Sequence, residues 1–124
     1  MKRLKALLTS LALVAGVTTA VVAIPAGAAF AASCPDNNFW YLDSTYENDL
    51  LRQDYVNLRS GPSTSCAVVT VARLYHYISF DCYKEGVGGT WTHLTYYVGD
   101  GYYTGWIRDD LLMWNGSHSH CPIT

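Results

Sequence analysis

The chain has no C-x-x-C pair, no G-x-S-x-G element, no internal repeat and no long linker. Without C-x-x-C spacing the cysteines do not read as a zinc site. Without a nucleophile elbow, the fold that displays a reactive serine on a strand-to-helix turn is not indicated. Basic residues are scarce: eight Lys and Arg stand against ten Asp and Glu, and Lys2, Arg3 and Lys5 fall in the first five positions. No basic stripe with interleaved aromatics exists, so binding to a nucleic-acid backbone is not expected. Adhesion to anionic lipid or to phosphate polymers is disfavoured for the same reason. No cofactor is called for.

What is present begins with the pattern of an export signal over residues 1–31. A basic Met1-Lys2-Arg3-Leu4-Lys5 start precedes an apolar run from Leu7 to Ile24, which Pro25-Ala26-Gly27 breaks before Ala29-Phe30-Ala31. Cleavage after Ala31 would leave residues 32–124 as one small acidic domain, expected to be secreted, free or associated with the cell wall. The apolar run approaches the ~20 residues of a membrane span, but Pro25, Gly27 and the small-residue tail favour processing, so no membrane attachment is expected afterwards. Lipidation at Cys34 is disfavoured because Ala31 stands where an aliphatic residue is usual.

Val56-Asn57-Leu58-Arg59-Ser60-Gly61-Pro62-Ser63-Thr64-Ser65 runs from an alternating strand into a turn in which Gly permits positive φ and Pro holds φ near −65°. Together with Trp91 and Gly105-Trp106-Ile107, this stretch resembles the bacterial SH3 (SH3b, SH3-type 3) family over Tyr55 to Leu112. The resemblance implies an all-β fold, a small SH3-like β-barrel over residues 55–112. It also implies a non-catalytic binding module of secreted or cell-wall proteins. Residues 32–54 lie outside it as an N-terminal extension, and residues 113–124 as a C-terminal tail. Asn57, Arg59, Gly61 and Pro62 read as shaping the first turn. The family's usual glycine in the next turn is replaced by Arg73-Leu74-Tyr75-His76.

Cys34, Cys66, Cys82 and Cys121 all follow the signal, and an even count in a short exported chain reads as a disulfide framework. Residues 66–82 carry two β-branched and aromatic runs about Leu74. A hairpin centred there sets Cys66 opposite Cys82, within reach of a cross-strand disulfide. The expected pairs are therefore Cys66–Cys82 and, by remainder, Cys34–Cys121; the close termini of an SH3-like barrel would allow the second.

Further along, Lys84 to Gly89 reads as a glycine-rich loop. A second hairpin follows, Trp91 to Val98 and Tyr102 to Ile107, joined by a three-residue Gly99-Asp100-Gly101 loop with an αL bulge and with its register open. Asp109 to Leu112 resembles a closing 3₁₀ turn and last strand. In the extension, Phe39-Trp40-Tyr41-Leu42 is too apolar for a solvated tail, and Asp49 to Arg52 suits a short helical turn.

Paired cysteines leave no thiol nucleophile, so an enzyme is not expected, and a cell-wall hydrolase is the most distant reading. His118-Ser119-His120 could hold a metal, but a polar tail is the simpler reading, and no metal site is expected. Aromatic excess is the stronger sign, because all ten Tyr and four Trp follow the signal. Tyr and Trp join a flat apolar face to a polar handle. The adjacent pairs Tyr96-Tyr97 and Tyr102-Tyr103 must each send one ring outward; covering sheet edges or packing on the extension would also use them. Trp91, Tyr96, Tyr97, Tyr102, Tyr103 and Trp106 are therefore the candidate ligand contacts, with Trp106 half in the core. The expected partner is cell-wall peptidoglycan or its peptides, with another protein as the alternative and a monomer as the expected state.

Overall fold

The computed structural model describes residues 33–122. The expected export signal lies outside them. Six strands form one antiparallel sheet: β1 (Tyr46–Glu47), β2 (Val56–Arg59), β3 (Val68–Ala72), β4 (Ile78–Gly86), β5 (Gly89–Val98) and β6 (Gly101–Arg108). Their spatial order is β1-β4-β5-β6-β2-β3, with β1 and β3 as open edges. The 3₁₀ turn Asp109–Leu111 appears where the sequence suggests it, and a second covers Met113–Asn115.

The β4-β5-β6 meander forms because both connections need only two residues. Gly86 pairs with Gly89 across Val87-Gly88, and Val98 pairs with Gly101 across Gly99-Asp100. Gly88 and Gly99 supply the positive φ, 81° and 57°, that such turns require. The glycine-rich stretch is thus strand and tight turn rather than loop, and the second hairpin has no three-residue bulge.

Two cores lie on opposite faces of this sheet. The inner one gathers Val56, Leu58, Ile78, Phe80, Leu94, Tyr96, Ile107 and Leu112, with Leu50 and Leu51 from the N-terminal segment. The outer one holds Cys82, Trp91, Trp106 and Cys121, with Phe39 packed against them. Burial on both faces explains why Trp91 to Tyr96 are buried without alternation.

Residues 66–82 are not a hairpin. β3 pairs with β2, where Val56 faces Ala72 and Leu58 faces Thr70, while β4 pairs with β5 and β1. The intervening corner carries the chain from the edge strand β3 to β4, which lies between β1 and β5. Tyr75 takes φ 69° there, and the Asp54 carboxylate accepts hydrogen bonds from Leu74 N and from the Arg73 guanidinium. The disulfides change with it: Cys34 bonds Cys66, and Cys82 bonds Cys121. Local β-propensity cannot distinguish a hairpin from two strands that find other partners. Among the described residues no cysteine is free.

The extension and tail also differ from expectation. Asp49 to Arg52 makes no helical turn; Leu51 bridges Leu112, and Arg52 Nε donates to Leu112 O at 2.7 Å. The closing strand shrinks to that single bridge. Tyr55, expected in the first strand, precedes it at φ 58°. The tail is strapped to β4, with Tyr83 N donating to Ser119 O and Cys121 N to Tyr83 O.

Candidate functional site

Along the outer face of the β5-β6 hairpin run the pairs Trp91-Arg108, His93-Trp106, Thr95-Thr104 and Tyr97-Tyr102. The N-terminal segment crosses the first half of this face. Trp106 Nε1 donates to Asp36 O at 2.9 Å, the Phe39 ring stacks on His93 at 3.4 Å, and Leu42 N and Asp43 N both donate to Asp81 O. That carbonyl is available because Asp81 is the extra residue of a β-bulge between Phe80 and Cys82. Beneath the crossing, His93 Nδ1 and Asp81 Oδ2 lie 2.6 Å apart, both almost fully buried. An Asp–His pair is the rear half of a nucleophilic triad. Here Phe39 and the edge of Trp106 roof the imidazole.

Beyond Thr95 the crossing segment has moved to the sheet edge as β1, and the outer face is bare. Tyr46, Tyr77, Tyr97 and Tyr102 gather there as a continuous aromatic ledge. Tyr46 stacks on Tyr77 at 4.8 Å and meets Tyr97 edge-on at 5.6 Å; Tyr97 lies 6.2 Å from Tyr102. All four are exposed, Tyr46 by 54% and Tyr102 by 66%. Four neighbouring rings in water cost hydrophobic free energy that a bound ligand would recover. Their hydroxyls add hydrogen-bonding groups that act as donor or acceptor. Mutual packing keeps the rings pre-organised, which lowers the entropy lost on binding.

Of the residues singled out from sequence, Tyr97 and Tyr102 belong to the ledge. Tyr103 is exposed but, opposite Tyr96, belongs to the other face. Tyr96 is a core residue whose hydroxyl accepts from Arg73 N. Trp91 and Trp106 are buried too, at 2% and 0% exposure. Trp106 is thus wholly core, and neither it nor Tyr96 is a surface contact. Trp91 Nε1 is taken up by Val87 O, although its ring helps line a cleft of about 180 Å³ beside Tyr55, Arg59 and Arg108. Tyr46 and Tyr77 were not legible as site residues, because only the β1-β4 pairing brings Tyr46 alongside.

The tail histidines face apart. His118 Nε2 donates to Trp114 O, whereas His120 Nε2 meets Glu85 at 3.0 Å. The Glu85 hydrogen bond raises the His120 pKa and lowers that of Glu85. Beside Thr92, burial pushes the Asp109 carboxyl up, against a 2.6 Å hydrogen bond from Thr92 Oγ1. No group of three or more His, Cys, Asp or Glu among the described residues is placed to hold a metal ion. No helix among them is long and apolar enough to cross a membrane, and the two disulfides fit an oxidising compartment. Compared with protein-family models, curated proteins and solved structures, the chain finds no match.

Proposed function

We propose that this chain is a secreted, non-catalytic binding module with an SH3-like barrel of the bacterial SH3 type. Its ligand is cell-wall peptidoglycan or its peptide stems, and its binding surface is the tyrosine ledge. The observation that carries this reading is the ledge itself: four packed, exposed tyrosines at the bare end of an otherwise covered sheet face. The first-turn sequence Asn57 to Thr64 and the Gly105-Trp106 pair support the family resemblance. The all-β topology and short turns accord with it. The disulfides and the N-terminal export pattern support secretion.

Retention of the protein on purified peptidoglycan tests the reading. Replacing Tyr97 and Tyr102 together by Ala should lower retention by at least about 30-fold, the loss expected for an aromatic anchor of about 2 kcal/mol. Thermal stability should stay nearly unchanged. If the intact protein is not retained at any salt concentration, the peptidoglycan reading fails, and a ledge-dependent protein partner becomes the better account.

A further inference from the structure

A concavity lies between the N-terminal segment and the tail. It holds about 320 Å³ and is lined by Leu42, Asp43, Ser44, Trp114, His118 and Ser119, among others. That volume falls at the small end of the ~300–1,000 Å³ range of ligand pockets.

Trp114 stands at this cleft in the left-handed region, φ 52° and ψ 23°, with Asn115 at φ 60° and Gly116 at φ 78° behind it. A bulky residue there is strained. The surroundings impose the conformation. His118 Nε2 donates to Trp114 O at 2.9 Å, Met113 N to Leu50 O, and Ser117 N to the buried Thr92 Oγ1. Gly116 lies so close to Asp109 Oδ1 and Thr92 Oγ1 that a Cβ would collide with both. The molecule thus holds an indole that is 53% exposed in a costly conformation beside this cleft.

The remaining lining selects the ligand class. No lysine or arginine lines the cleft. Burial pushes the Asp43 carboxyl up, but hydrogen bonds from Ser117, Thr45 and His118 outweigh it and lower its pKa, so Asp43 is an anion at neutral pH. An anionic ligand is therefore disfavoured. Among the described residues Ser44 Oγ and His118 Nδ1 have no hydrogen-bond partner, and Ser119 Oγ has only a 3.5 Å contact to Leu42 O. With His118 Nε2 donating, neutral His118 presents Nδ1 as an acceptor, while the serines donate or accept.

We propose that this cleft is a saccharide subsite, in which a neutral pyranose ring stacks its apolar face on Trp114 and hydrogen-bonds to Ser44, His118 and Ser119. A flat apolar face rimmed by hydroxyls matches an exposed indole beside neutral donors and acceptors. This inference does not rest on the ledge reading.

Calorimetric titration of the protein with cellotetraose and with chitotetraose, with open-chain sorbitol as control, tests the proposal. At least one oligosaccharide should bind saturably, and sorbitol should not. Trp114→Gly should weaken that binding by at least about 30-fold. The same change should leave the melting temperature equal or higher, because glycine adopts φ 52° without strain. Ser44→Ala should weaken binding by less. No binding by either oligosaccharide, or full binding by Trp114→Gly, would overturn the proposal.

Discussion

Between Trp91 and His93 the outer face of β5 is roofed by the N-terminal segment, whereas at Tyr97, further along the same face, the aromatic rings stand in water. Strand, pleat and residue class are alike in the two halves. What differs is the layer above: residues 36–43 cross β6, β5 and β4 in turn and anchor on the Asp81 bulge. They then descend to the sheet edge as β1. An aromatic residue in this sheet is therefore core or surface according to where a short segment crosses it. The covered half spends its aromatics on stability, and the bare half leaves them in water.

The largest test of this contrast is Trp106→Ala, which empties the centre of the covered half. A fully buried aromatic replaced by alanine costs about 3–5 kcal/mol, and urea unfolding should show the domain near or past its stability limit. Next comes Cys82→Ser with Cys121→Ser. Releasing a loop of 39 residues should cost about 3–4 kcal/mol from loop-closure entropy. The tail should then lose hydrogen-exchange protection before the inner core does. A smaller effect, about 2 kcal/mol, is expected for Phe39→Ala, since that ring is only partly buried. It should also admit solvent to the Asp81–His93 pair, read in NMR as faster hydrogen exchange of the His93 ring N–H. In the bare half, Tyr97→Ala and Tyr102→Ala should each change stability by no more than about 1 kcal/mol. Equal costs in the two halves would break the comparison.

The smallest effect concerns the β3-β4 corner. Asp54 accepts hydrogen bonds from Arg73 and from Leu74 N, which hold its carboxyl down at about 2, against an ordinary 3.8. A depressed folded value means that its contribution is present above the unfolded value and is lost as pH falls from 3.8 through about 2. Asp54→Asn should flatten the acid limb of a stability-against-pH curve in that window and leave the neutral plateau slightly lower.

Much of the fold was legible locally. The β2 alternation and the 3₁₀ turn after Arg108 follow from short-range patterns, whereas the glycines near 88 and 99 mark where the chain turns without showing that each turn closes in two residues. The site was half legible. Two adjacent tyrosine pairs flanking a tight turn must each put one ring outward, and Tyr97 and Tyr102 do so on a shared face. Tyr46 carries no signal that it belongs beside them, because its neighbour Ser79 lies 33 positions away. Trp106 reads as half-exposed from the sequence because the pleat puts it on the outer face, and the segment that buries it comes from elsewhere in the chain.

By itself, then, the sequence determined an all-β domain, where several of its tight turns fall, and a cysteine count that lets every thiol pair. These are properties of backbone freedom, side-chain alternation and number, and they act over a few residues. Tertiary structure alone decided that β3 joins β2 rather than β4, so that Cys66 meets Cys34 and Cys82 meets Cys121. It also decided which rings are roofed and which are left in water. Those outcomes depend on pairings between distant segments and on the path of one crossing strand, and local propensity carries no information about either.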